Sequence, residues 1–78
     1  MERNIFIEGF LFRNDFTKRE ENIYKNDKCT VTILEDCYEI CFNDREYGEV
    51  SAFTTSYSIY HLIGILTWYD LIDRNYKK

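Results

Sequence analysis

The residues best suited to covalent or metal chemistry in this chain are three cysteines, Cys29, Cys37 and Cys41, and a single histidine, His61. Zinc sites draw their ligands from closely spaced Cys pairs such as Cys-x2-Cys, and no such pair occurs. Cys37 and Cys41 stand four apart. On a regular strand their Cα atoms lie ~13 Å apart, beyond the ~7 Å that a disulfide spans. Cys29 reaches either of them across a hairpin, but His61 alone does not complete a ligand set. The expectation is three inert, largely buried thiols and no metal or other cofactor. An odd number of cysteines also argues against a secreted disulfide framework.

General acid–base work needs a positioned carboxylate or a histidine with a partner. A Cys29–His61 or Cys41–His61 pair is the one nucleophilic arrangement available. His61 falls near the start of an apolar helix, where the dipole disfavours an imidazolium. Gly9, Gly48 and Gly64 are isolated, so no glycine loop cradles a phosphate. Catalysis is not expected, and a small Cys/His enzyme or ligand binder stands as a minor alternative.

The elements that would position these groups follow from hydrophobic periodicity. Residues 4–13 alternate as a strand, Ile5, Ile7 and Leu11 on one side and Phe6, Phe10 and Phe12 on the other, with a bend at Gly9. Residues 14–28 are of mixed charge and read as a long connection with one helical turn near Thr17–Asn22. Cys29–Leu34, Cys37–Asn43 and Glu49–Thr55 form a three-stranded meander, turning at Glu35-Asp36 and at residues 43–48. Ser56 or Ser58 then caps a helix that runs to Asp73 or Arg74. The fold class expected is α+β, one domain over residues 1–78. It holds a four-stranded, mainly antiparallel sheet, ordered β–loop–βββ–α, with the C-terminal helix packed on one face.

Charge is segregated. Residues 1–34 carry six acids and six bases, residues 50–78 two acids and three bases, and residues 35–49 six acids against Arg45 alone. The net charge of −4 is therefore set in the meander. Nucleic-acid binding requires a basic stripe to neutralise phosphates, so direct binding of DNA or RNA is not expected. An acidic prong of Glu35, Asp36, Glu39, Asp44, Glu46 and Glu49 suits a protein partner with a basic surface. These charges equally serve to keep sheet edges apart.

The C-terminal helix carries a wider apolar surface than one sheet face needs. Leu62, Ile59, Ile63 and Leu66 make the stripe for the core, and Ile65, Trp68 and Ile72 extend it. That second face is expected either to be wrapped by residues 14–28 or to contact a target or a second subunit, which makes a homodimer through this helix an alternative reading.

The absence of Pro, a single Ala, and 33 of 78 positions filled by Ile, Asn, Lys, Tyr and Phe indicate an AT-rich genome. The N-terminus has no leader-like pattern. The apolar stretch over residues 59–72 falls short of the ~20 residues of a membrane span. A cytoplasmic, non-enzymatic protein-binding module is expected. An inhibitor of a host protein, encoded by a phage or mobile element and of the anti-defence or anti-CRISPR type, fits that class; a homo-oligomeric assembly subunit is the alternative.

Overall fold

The computed structural model describes residues 2–55 and 58–72, with side chains from residue 6 onward. Its elements in order are α1 (Glu2–Arg13), β1 (Thr17–Glu20), β2 (Ile23–Lys25), β3 (Cys29–Ile33), β4 (Tyr38–Asp44), β5 (Gly48–Phe53) and α2 (Ile59–Trp68). The strands form one sheet in the order β1-β2-β3-β4-β5, every neighbouring pair antiparallel. The α+β class holds, but with five strands and two helices in place of four strands and one.

Alternation along β3 and β4 explains the layers. Val31, Ile33, Tyr38, Ile40 and Phe42 point to one face and are buried, while Thr30, Thr32, Glu39 and Cys41 occupy the other. Both helices cover the apolar face. Ile7 and Leu11 of α1 and Leu62 and Leu66 of α2 are essentially inaccessible and close the core with Tyr24 and Phe16. Among the described residues, no helix covers the opposite sheet face.

The first expected strand is a helix. Ile7, Phe10 and Leu11 follow an i, i+3, i+4 spacing, and short apolar runs satisfy helical and strand periodicities alike. Gly9 marks no bend; a Cβ there would meet nothing closer than the Arg13 guanidinium at 3.7 Å. The expected connection over residues 14–28 is instead mostly the β1–β2 hairpin. Its strands are short, β1 at the sheet edge is charged and exposed, and Glu20–Ile23 pairing follows a register shift after Lys18.

Each helix ends in the same way. After α1, the Phe16 N–H donates to Leu11 O (3.0 Å) and the Asp15 N–H to Phe12 O (3.2 Å), with Asp15 at φ 69°. After α2, the Leu71 N–H donates to Leu66 O (2.8 Å) and the Asp70 N–H to Thr67 O (3.1 Å), with Asp70 at φ 61°. Both are Schellman caps, and the accompanying apolar contact is made by buried pairs, Leu11 with Phe16 and Leu66 with Leu71. The cap at Asp70 stops α2 at Trp68 rather than at the expected Asp73 or Arg74, which lie outside the described residues. Ser58 begins the helix as expected, its Oγ accepting from the Tyr60 N–H at 3.2 Å.

Candidate functional site: the outer surface of the helical layer

The surface of interest arises from the angular positions of residues on α2. With Leu62 and Leu66 directed into the core, a step of 100° per residue places Tyr60, Gly64 and Trp68 on the opposite side, one turn apart. All three are exposed, Tyr60 to 81% and Trp68 to 80%. A Cβ on Gly64 would meet nothing within 4 Å, so the two aromatic rings flank an open notch floored by backbone. Ile63 and Thr67 complete its lining.

Beside this ridge, α1 and α2 leave a groove of ≈ 480 Å³ over Tyr38, lined by Phe6, Ile7 and Phe10 of α1 and by Ile59, Tyr60 and Ile63 of α2. Phe6 is 72% exposed at its rim, and Arg13 places a cation at one end. Tyr60 belongs to both groove and ridge, which joins them into one apolar surface.

The expected apolar contact residues divide. Trp68 is exposed, as that reading needs. Ile65 is half-buried and packs against the core. Ile72 is buried at 5% exposure; the helix has already ended, and the Asp70 turn carries the chain back to the core. Ile72 is therefore a core residue, corrected from a surface one. The Tyr60 and Phe6 contributions were not anticipated. Tyr60 sits directly opposite Leu62 and Leu66 on a helical wheel, a signal present in the sequence, whereas Phe6 required α1 to be a helix.

The acidic residues do not form one prong. Glu35 and Asp36 lie at the β3–β4 turn, while Asp44 and Glu46 lie at the β4–β5 turn, at the other end of the seven-residue β4. Glu39 and Glu49 sit on the open sheet face between them, Glu39 opposite Phe53 and Glu49 opposite Asn43. The turn at Asp44 is built locally: its Oδ2 accepts from the N–H groups of Glu46 (2.9 Å) and Tyr47 (3.2 Å), and Gly48 at φ 78° closes it. Asp44, Glu46 and Glu49 form one local acidic group, and Glu35 with Asp36 a separate one.

His61 and the cysteines are separated. The His61 Nδ1 lies 3.1 Å from Thr55 Oγ1 and 3.3 Å from the Thr55 N–H, which donates to it. That contact ties the start of α2 to the end of β5. Cys41 lies on the open face, 3.2 Å from Ser51 Oγ, with the sheet between it and the helices. Cys29 points into the core opposite Phe42, at the far end of β4 from Tyr38. Burial pushes its thiol up to about 12, far from the thiolate that nucleophilic chemistry requires. Neither Cys–His pairing is assembled. Among the described residues, no cluster of three His, Cys, Asp or Glu side chains could hold a metal ion.

Glu8 of α1 is held in a side-chain pair. It accepts from the buried Tyr24 hydroxyl at 2.5 Å and meets Lys18 Nζ at 3.2 Å. The Tyr24 hydrogen bond, then Lys18, holds its carboxyl below the usual range. Burial, then Glu8, pushes the Tyr24 hydroxyl upward. These groups fasten α1 to β1 and β2.

No helix among the described residues is long and apolar enough to cross a membrane. Comparison of the chain with family models, with curated proteins and with solved structures gave no match.

Proposed function

We propose that this chain is a non-enzymatic protein-binding module that docks through the outer surface of its helical layer. The observation that carries the reading is the exposure of Tyr60 and Trp68 on one stripe of α2, opposite the core and flanking the Gly64 notch. Trp and Tyr dominate interface hot spots because each supplies a large contact area at small entropic cost. The partner in this reading is a protein that offers an apolar ridge or loop to the notch and groove. A net positive partner is drawn at long range toward the Asp44, Glu46 and Glu49 group, which speeds encounter rather than setting affinity. Inhibition of a host protein by occupying one of its surfaces, in the manner of a phage-encoded anti-defence or anti-CRISPR protein, is the activity that suits such a module.

The test is quantitative co-purification of bound protein from host cells by the wild-type chain and by variants. Tyr60→Ala with Trp68→Ala should lose the partner at unchanged melting temperature. Asp44, Glu46 and Glu49 changed together to Lys should slow association and weaken its salt dependence. Full retention by the aromatic double variant would refute the proposal.

A further inference from the structure

The two edges of the sheet differ. The β1 edge is four residues long, presents Lys18, Arg19 and Glu20 to solvent, and has its register broken after Lys18. Charge, shortness and irregularity of this kind keep an edge from pairing with another chain. The β5 edge has none of them. It pairs with β4 in an unbroken register of six residues, and Glu49 is its one charge.

Its hydrogen-bonding groups can be assigned. The Thr54 N–H donates to Tyr38 O at 3.0 Å, and Asp44 pairs with Gly48 at the turn. In an antiparallel ladder, alternate residues bond to the same neighbour. Gly48, Val50 and Ala52 therefore face β4, and the N–H and C=O groups of Glu49, Ser51 and Phe53 point outward. We propose that this edge pairs antiparallel with β5 of a second copy of the chain, about a two-fold axis at Ser51, giving one continuous ten-stranded sheet.

That register is self-complementary. Ser51 opposes Ser51 of the second copy, and Glu49 opposes Phe53 in both directions, so all three outward residues pair with outward residues. Each pair exchanges two hydrogen bonds. The axis also resolves the charge problem. The acidic turn of each copy comes beside the Phe53–Thr55 end of the other, which carries no acid, instead of beside its own counterpart. Phe53, 55% exposed on the open face, gains the stem of Glu49 as a neighbour. Both helical layers stay on one face of the joint sheet, with the Tyr60–Trp68 ridge unused. The inference is thus independent of the proposed docking function.

The experiment is solution mass by light scattering across concentration, on wild-type protein and variants whose folding is checked by thermal melts. Wild-type should approach twice the 9.5 kDa of one chain. Ser51→Lys and Ser51→Glu, which set like charges face to face on the axis, should each be monomeric. Mixing the two should restore a dimer. Trp68→Glu should leave the dimer intact. Amide exchange on the wild-type chain gives a readout without substitution: the Glu49, Ser51 and Phe53 N–H groups should be protected at high concentration and not at low. A wild-type monomer throughout, a dimer indifferent to Ser51→Lys, a mixture that stays monomeric, or a dimer dissolved by Trp68→Glu would each overturn the proposal.

Discussion

Replacing Asp15 with Gly should make this protein more stable. Asp15 holds φ 69° at the position where α1 reverses, and it is exposed. A left-handed conformation costs an L-residue ~1–2 kcal/mol because Cβ crowds the following carbonyl, with Asp at the low end of that range. Gly avoids this crowding and is the usual occupant of such a cap. A second penalty adds to the first, since a carboxylate next to the unpaired carbonyls of a helix C-terminus opposes the dipole by ~0.3 kcal/mol or more. Against these stands the greater chain entropy that Gly confers on the unfolded state. The net gain expected is ~0.5–1 kcal/mol, and a domain of this size shifts by ~4–8 °C per kcal/mol. Asp15→Asn separates the contributions, because it removes the charge and keeps the Cβ. It should recover only the dipole part, and Asp15→Ala should recover no more. The assay is paired thermal and urea melts of the three variants, which should keep the wild-type m value. A melting temperature for Asp15→Gly at or below wild-type would refute the reasoning, as would a gain fully matched by Asp15→Ala.

Two further outcomes follow from single contacts. Asn26 clips the β2–β3 turn to the end of α2: its Oδ1 accepts from the Lys28 and Cys29 N–H groups, both at 2.8 Å, and its Nδ2 donates to Leu71 O at 3.1 Å. Asn26→Ala should cost ~2–3 kcal/mol in urea unfolding, at ~1 kcal/mol per net hydrogen bond, while Asn26→Asp keeps both accepted bonds and should cost less. Tyr24 and Cys29 both have folded pKa values raised by burial. Their unfolded forms therefore ionise first, so stability should be full below pH ~8.5 and fall as pH rises from there toward 12. Thermal melts against pH should show this loss, reduced in Cys29→Ala relative to that variant's own neutral-pH value.

The legible part of the fold was the part whose side chains alternate against a single core face. Cys29-Thr30-Val31-Thr32-Ile33 and Tyr38-Glu39-Ile40-Cys41-Phe42 each switch between apolar and polar at every residue, which only a half-buried strand explains. Ser58 before Ile59 likewise marks the start of α2. Illegible segments were those where two periodicities coincide or where burial is slight. Phe6-Ile7 and Phe10-Leu11-Phe12 fill both faces of a strand as readily as one and a half faces of a helix; the deciding contact, Tyr24 with Glu8, is 16 residues distant. Thr17-Lys18-Arg19-Glu20 buries nothing, so no pattern could announce β1. Asp70 hid the end of α2, because a left-handed turn made by Asp in place of Gly leaves no mark in the sequence. The same cause misplaced Ile72, whose apolar spacing continued a helix that had stopped. The acidic residues cluster in the chain, but a hairpin of extended strands separates its two turns by the length of β4.

The distribution of apolar surface bears on function through what folding does not require. Tyr60 and Trp68 are exposed so fully that they remove almost no area from water, and polar side chains there would leave Leu62 and Leu66 in place. Large aromatics on a surface promote non-specific association, so their presence opposite the core is a cost to a chain that gains no stability from them. The open sheet face, where Thr30, Thr32, Glu39 and Asn43 point outward, is mostly polar, with Phe53 its large exposed apolar side chain. On the helical layer the pattern reverses within one turn of the core. A partner that covers the Tyr60–Trp68 ridge accounts for that reversal. The β5 edge, with the backbone groups of Glu49, Ser51 and Phe53 directed outward, calls for a different kind of neighbour, one that supplies a strand.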